Sequence, residues 1–429
     1  MPSTRDRRLI LSTAFLRAVG TGMTGILAGL YLARLGLDAA QAGLVIGAGL
    51  AGSAGMTLLA TTSADAFGRR RSLVLLSLLG TAGVLAMLPA REVTPMVVFA
   101  ALGMLNGMGR DRGGALVIEQ AILPATTSDA ERTRTFAWYN VVQDSGHALG
   151  SLLAGAPALI GMALAGRNAS GAAGSAAATA AVDTVSNAPA AREISLLAGG
   201  LAFAALLSAS AIILYLRLSP AVESAAPRAR VVVTPATRRI LWRISSLFML
   251  DSLGGGFLTA SLVAWFFYQR FGVDAGSLGL LFFGARVLNA LSHLGAAWLA
   301  RRIGLVNTMV FTHIPSSLLL ATVAIAPNFT VAAILFLLRE GLVEMDVPTR
   351  QSYVMAVVRP EERTIASGVT HLVRVSMWAV GPAIAGWAMQ KYSIGAPLAI
   401  AATLKIVYDV LLWMAFRKLK PPEETATHP

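Results

Sequence analysis

Residues 118–140 of the chain read IEQAILPATTSDAERTRTFAWYN, and residues 349–371 read TRQSYVMAVVRPEERTIASGVTH. The two segments align without a gap, 231 residues apart. Gln120 falls on Gln351, and the tripeptide Glu-Arg-Thr occurs at the same place in both segments. A match of this length indicates an internal repeat. The chain is therefore predicted to consist of two related halves with the same orientation.

The composition restricts what the halves can be. The chain has 429 residues, of which 55% are hydrophobic and 13% are charged, and its mean hydropathy is +0.67. A soluble domain usually has about 25% charged residues. These values exclude a soluble enzyme, a disordered protein and a fibrous repeat, and they leave a polytopic membrane protein. With no cysteine and no phosphate-binding, zinc-protease or hydrolase motif, we expect no enzyme activity, cofactor or metal.

The pattern of apolar segments predicts an all-α membrane protein with twelve transmembrane helices in two six-helix bundles related by a pseudo-twofold axis. A span needs about 20 apolar residues. The predicted spans are 9–33, 41–63, 72–90, 95–122, 135–163, 194–216, 240–268, 276–299, 306–326, 329–348, 364–389 and 395–416. The corresponding domains are an N-terminal bundle (1–216), a cytoplasmic linker (217–239), a C-terminal bundle (240–416) and a cytoplasmic tail (417–429).

The basic residues predict the orientation. With the N-terminus inside, the inner segments contain 22 Lys and Arg residues and the outer loops contain six. This asymmetry is the one that the positive-inside rule requires. We therefore expect both termini in the cytoplasm and the protein in the inner membrane. The net charge of +13 then reports topology and does not indicate nucleic acid.

The loop between the second and third spans carries a motif. Residues 65–71 read Asp-Ala-Phe-Gly-Arg-Arg-Arg, which resembles the signature loop of the major facilitator superfamily. Ala66 departs from the family pattern, where a basic residue is usual, and Thr61 replaces a preferred glycine. The resemblance implies a secondary transporter that works by alternating access between two bundles. We expect a monomer whose partners are a small-molecule substrate, protons and the lipid bilayer.

The resemblance also implies a conformational gate on the cytoplasmic side. In the family, the acid and the basic residue of the signature loop form a cluster with an acid at the inner end of helix 4. At the repeat offset Glu119 overlies Arg350, so we predict a partly exposed salt bridge between them when the cytoplasmic side closes. The predicted gate residues are Asp65, Gly68, Arg69, Arg70, Glu119, Arg301 and Arg350.

Charged residues inside the spans are the candidate cavity residues. Burying a charge in a membrane is costly, so each should face a partner or an aqueous cavity. In the family, helices 1, 4, 7 and 10 line that cavity. The predicted substrate or proton site comprises Arg17, Arg110, Asp111, Arg112, Asp144, His147, Asp251, Arg339, Glu340 and Arg374.

Among these candidates the sequence favours two proton carriers. Asp144 and Asp251 have no arginine adjacent in sequence, and an isolated desolvated carboxylate favours the protonated form. Four further charges are expected to lie near span ends or to extend toward the headgroups. These are Glu344, Asp346, Lys405 and Asp409.

Three functions fit these residues. The first is proton-coupled export of small organic or drug-like compounds. Residues 150–155 and 381–386 partly match the antiporter motif of the family, although the first copy lacks its proline. The alternative is a proton-coupled uptake symporter for a polar or anionic metabolite, with the intramembrane arginines as ligands. The third is a non-transporting membrane sensor.

Overall fold

A computed structural model of the chain describes residues 4–111, 113–127, 132–171, 188–223, 234–346, 350, 358 and 362–416, and the regular structure in this part is helical. Its α-helices are α1 (Thr4–Arg34), α2 (Ala39–Phe67), α3 (Arg69–Met87), α4 (Val93–Leu102), α5 (Gly114–Ile122), α6 (Arg132–Gly171), α7 (Ala188–Leu216), α8 (Pro235–Gly256), α9 (Ala260–Phe271), α10 (Ala275–Ile303), α11 (Leu305–Ala324), α12 (Phe329–Val343), α13 (Arg363–Lys391) and α14 (Ala396–Phe416).

These helices form twelve membrane spans, which confirms the predicted fold class. Nine stretches within the described residues are long and apolar enough to cross a membrane, and one of them joins α8 to α9. The other three spans are α4 with α5, α6, and α12. We call residues 4–216 the first half and residues 235–416 the second half. The predicted linker 217–239 is described only at its two ends.

Three spans predicted as continuous helices are broken or shortened. The span predicted at 95–122 is interrupted after Leu102, where the sequence reads GMLNGMGRDRG (103–113). Gly109 has φ +68°, a conformation that glycine adopts without a steric penalty. Asn106 holds the turn, since its Nδ2 donates to the carbonyl of Arg110 (2.8 Å) and its Oδ1 accepts from the amide of Met108 (3.0 Å).

The seventh span, predicted at 240–268, is broken in the same layer. Three consecutive glycines end α8 at Gly256, and Thr259 begins α9 because its hydroxyl accepts from the amide of Leu262 (3.3 Å). The broken segments of the fourth and seventh spans contact each other, because the amide of Ser261 donates to the carbonyl of Gly107 (3.0 Å). The tenth span, predicted at 329–348, ends as a helix at Val343.

The two halves pack closely at one face of the molecule. We call the face where α1 begins the terminal face and the face where α1 ends the distal face. Near the distal face α6 meets α10 at glycines: a Cβ on Gly155 would lie 2.8 Å from the carbonyl of Ala275, and one on Gly279 would lie 2.8 Å from that of Ser151. The cavity between the halves extends from the breaks toward the terminal face.

Candidate functional site

A cavity of about 840 Å³, including solvent space at its mouth, lies between the halves. Its described lining is rich in charge, with six cationic and four acidic side chains. The cations are Arg110, Arg286, Arg339, Arg350, Arg374 and Lys405, and the acids are Asp251, Glu340, Glu344 and Asp346. With His313 neutral, this lining has a formal charge of +2.

Two contacts cross the cavity between the halves. Nη1 of Arg110, on the break in the fourth span, lies 2.8 Å from Oε2 of Glu344, just after α12. Nη2 of Arg286 on α10 donates to the carbonyl of Gly109 in the same break (3.2 Å). An unwound segment at mid-membrane offers its backbone carbonyls to a partner in this way. Glu344 therefore lies in the cavity, at the point where α12 ends. The expectation that it extends toward the headgroups is wrong.

Several cavity guanidinium groups keep a free donor. The buried Nε atoms of Arg286, Arg339 and Arg374 have no hydrogen-bond partner among the described residues. Arg339 is paired with its neighbour Glu340, and no carboxylate of the described residues lies within ion-pair distance of Arg286. A buried donor without a partner costs free energy. A ligand that supplies acceptors to these groups would recover that cost.

Asp251 lies at the centre of a cluster in the second half. Its carboxylate is 2.8 Å from Nζ of Lys405, 3.4 Å from Nη1 of Arg350 and 3.7 Å from Nη2 of Arg374. The expectation of an isolated, readily protonated Asp251 is therefore wrong. Three cations from other helices surround it and favour its charged form. Sequence adjacency could not reveal partners 99 to 154 residues away.

The same cluster contains residues that sequence analysis missed. Asp409 is fully buried, with its carboxylate 2.9 Å from Nδ1 of His313 on α11. Asp346 lies 2.5 Å from Arg350. The expectation that Lys405 and Asp409 lie near a span end is wrong, because both lie well inside α14. Asp346 does follow the end of α12, but it is buried and does not extend toward the headgroups. The available signal was the spacing of Lys405 and Asp409, since two charges four residues apart lie on one face of the apolar helix α14.

A second buried cluster in the first half surrounds Arg17. Its Nη2 is 2.8 Å from Asp111, and its Nη1 is 2.5 Å from Glu119. Glu119 has no exposed surface, and it also accepts hydrogen bonds from the hydroxyls of Tyr139 (2.7 Å) and Tyr215 (2.6 Å). The structure thus brings three predicted residues together, and the two tyrosines are additions that the sequence did not suggest.

The two clusters contain the same ion pair with the charges exchanged. Asp251 lies in the seventh span where Arg17 lies in the first, because Gly254 and Gly20, three residues further on, pack against the last span of their own half. Arg350 overlies Glu119 in the sequence repeat. Each pair forms within its own half. The predicted bridge between Glu119 and Arg350 is absent here, where the cavity extends to the terminal face, and each residue is buried beside a partner from its own half. The bridge is predicted for the state in which the cytoplasmic side is closed, and it stays a prediction.

The signature loop is held by contacts within itself and with the residues that follow the first half. Asp65 pairs with Arg69 at 2.7 Å across the turn at Gly68, whose φ of +104° requires glycine. The second acid of this cluster is Glu223, whose carboxylate accepts hydrogen bonds from the amides of Arg69 (2.6 Å) and Arg70 (3.2 Å). Glu119, expected in that place, pairs with Arg17 instead.

The remaining predicted residues lie in or near the same region. Nε2 of His147 accepts from the amide of Asp111 at 2.9 Å. Asp144 is partly buried, and its negative charge acts on Arg110 and Arg286. Arg112 lies outside the described residues, as does the side chain of Arg301.

Comparison with known proteins supplies a family and a fold. The model of the Major Facilitator Superfamily matches residues 10–382. The uncharacterized membrane protein YJR124C of Saccharomyces cerevisiae is 25% identical over 446 residues, covering 96% of this chain and 94% of that protein.

Solved structures share the fold over nearly the whole chain. The nucleoside transporter NupG has a TM-score of 0.71 at 15% identity and covers 97% of this chain and 100% of its own. The human organic anion transporter MFSD10 (TETRAN) has a TM-score of 0.60 at 16% identity, covering 95% and 99%. The D-xylose-proton symporter has a TM-score of 0.68 at 12% identity, covering 95% and 97%. At these identities the likeness shows the fold alone.

Proposed function

The chain belongs to the major facilitator superfamily, and we propose that it is a proton-coupled transporter of a small polar solute that carries an anionic group. Family membership makes it an integral multi-pass membrane protein and a secondary transporter, not an enzyme. The class of substrate and the coupling to protons are the proposal.

The charge of Arg286 in the cavity, unpaired in the part of the chain that the structure describes, supports the proposal of an anionic substrate. Its guanidinium lines the cavity, donates to the carbonyl of Gly109 and has a buried Nε without a partner among the described residues. A carboxylate or phosphate accepts two parallel hydrogen bonds from a guanidinium and neutralises it. The lining charge of +2 supports the same class of substrate, because it favours entry of an anion.

The same lining weighs against a lipophilic compound. A site for drug-like molecules is mostly apolar, whereas ten charged side chains line this cavity. The alternative raised by the sequence, a polar or anionic metabolite, is therefore favoured over the export of drug-like compounds. By the positive-inside rule, we further propose that the terminal face is cytoplasmic. A cavity that extends to this face then corresponds to an inward-facing state.

Transport in proteoliposomes under an imposed pH gradient tests the proposal. The probes are radiolabelled lactate, succinate, xylose, uridine and tetraphenylphosphonium. We expect a carboxylate to accumulate with the gradient, and Arg286→Gln to weaken its apparent affinity roughly 10- to 100-fold through the loss of a charged hydrogen bond. Arg34→Gln, at a partly exposed ion pair outside the cavity, is the matched control. Movement of tetraphenylphosphonium alone would contradict the proposal.

A further inference from the structure

A continuous polar chain runs through the interior of the second half. Nζ of Lys405 lies 3.4 Å from Nε2 of His313, and Nδ1 of His313 lies 2.9 and 3.0 Å from the two oxygens of Asp409. Lys405 also donates to Asp251 at 2.8 Å. Asp409 has no exposed surface and His313 is 1% exposed. These contacts join α8, α11 and α14.

The donors and acceptors along this chain fix the tautomer of His313. A lysine ammonium can only donate, so Nε2 of His313 must present its lone pair to Lys405. The single proton of the neutral imidazole is then on Nδ1 and is donated to Asp409. An ionised Asp409 is the stronger acceptor for this proton, and the chain of hydrogen bonds then runs in one direction from Lys405 to Asp409.

We propose that the His313–Asp409 pair is the binding site for the coupling proton. The proton comes from cavity water and binds the lone pair of Nε2, while the proton on Nδ1 stays where it is. The product is an imidazolium paired with the Asp409 carboxylate. The hydrogen bond from Lys405 to Nε2 breaks, because both groups are then donors with positive charge.

The surrounding charges make this proton costly without a counterion. The groups facing the pair are Asp251 on α8, Lys405 and Tyr408 on α14, Arg374 on α13, and Asp346 and Arg350 beyond α12. The three cations Lys405, Arg350 and Arg374 balance the three carboxylates of Asp251, Asp346 and Asp409 when His313 is neutral. Adding one proton leaves one uncompensated positive charge beside the cavity, which His313 and Lys405 both line.

The extra charge couples the proton to the substrate, a step that rests on the proposed function. Lys405, repelled by the imidazolium, keeps its contact with Asp251 and has donors left to turn toward an incoming anion. The anion and the proton then stabilise each other, so one proton accompanies one anionic group. Asp144, the other carboxylate expected to carry the proton, is not required for the step.

Nuclear magnetic resonance of the ¹⁵N-histidine-labelled protein in lipid nanodiscs tests the proton site without any substrate. The chain has five histidines, and His313→Gln assigns the signal. We expect His313 to carry its proton on Nδ1 at the start of an acid titration and to gain a second proton on Nε2 in its course. Lys405→Met should raise its proton affinity by roughly tenfold or more, and Asp409→Asn should lower it similarly.

His147→Gln is the control and should leave the titration of His313 unchanged. The proposal is overturned if wild-type His313 takes up no second proton down to pH 5, or if Asp409→Asn leaves its proton affinity unaltered. Because the measurement involves no transport, its failure is separate from the failure of the substrate class. A titrating His313 in a protein that moves no carboxylate would leave the proton site standing and refute the substrate.

Discussion

Arg110 and Glu344 form an ion pair of 2.8 Å that joins the two halves across the cavity. Each residue belongs to a span that loses its helical structure at that depth. We call the close contact between the halves near the distal face, where α6 meets α10, the distal seam. The ion pair lies on the terminal side of this seam, so it forms while the cavity extends to the terminal face. It is therefore expected to stabilise this state over the opposite one.

Weakening this ion pair should shift the conformational equilibrium. Both side chains are about one-sixth exposed (17% and 16%), so the pair contributes about 1 kcal/mol. Glu344→Gln should then reduce closure of the distal face roughly fivefold. Cysteines replacing Asp38 and Gln390, which touch at 3.4 Å across the distal seam, report closure through a short thiol cross-linker in this cysteine-free chain. Glu193→Gln, within the first half, is the control, and an unchanged cross-linking rate in Glu344→Gln would exclude the role.

A methyl group added in the distal seam should push α6 and α10 apart. In Gly155→Ala the new Cβ would lie 2.8 Å from the carbonyl oxygen of Ala275, a backbone atom that cannot turn away. We expect slower closure of the distal face and a lower rate of transport, with normal expression. Gly199→Ala is the matched helical control, because no atom lies within 4 Å of its added Cβ. Equal cross-linking rates in the two variants would contradict the tight approach.

The charge balance around Arg17 predicts an order of stability. Arg17→Gln leaves Asp111 and Glu119 buried near each other without a cation, which should cost about 3–5 kcal/mol. Glu119→Gln leaves the Arg17–Asp111 pair intact and removes acceptors from hydroxyl groups, a loss of about 1–3 kcal/mol. Thermal unfolding of the purified protein measures both. If the Glu119→Gln variant is less stable than the Arg17→Gln variant, the stability of the cluster does not depend on this charge balance.

The two predicted proton carriers should respond differently to neutralisation. Asp251→Asn removes the shared partner of three cations and should lower the unfolding temperature and the yield of folded protein. Asp144→Asn removes no ion pair of the described residues and should leave both near wild type. Comparison of the two variants by size-exclusion chromatography and thermal unfolding distinguishes a structural carboxylate from one that the fold does not need. Similar losses in both would refute the distinction.

The sequence contained enough to predict the fold, because span length, charge asymmetry and the repeat are properties of the chain itself. The breaks were predictable only in part. The glycine-rich segment 103–113 signals a break in the fourth span, but the apolar segments on either side of it, 93–102 and 114–122, favour one continuous membrane helix. The seventh span was misjudged for the same reason at Gly254–Gly256.

The charged site was harder to predict, because its contacts join helices far apart in sequence. Asp251 looked isolated along the chain and is surrounded in space. Lys405 and Asp409 lie in the last span, which family resemblance does not place at the cavity, and His313 had no charged neighbour in sequence to mark it. Pairing between spans depends on how each helix is rotated, and a repeat offset does not specify that rotation.

The exchanged ion pairs have a consequence for the electric field across the cavity. Under a twofold rotation about the membrane normal, two identical pairs would have opposite dipole components in the membrane plane, and these would cancel. The pair Arg17–Glu119 and the pair Asp251–Arg350 are of opposite sense, so their in-plane dipoles add. We therefore expect a transverse field between the halves, which would favour one orientation of a solute whose positive and negative groups are separated.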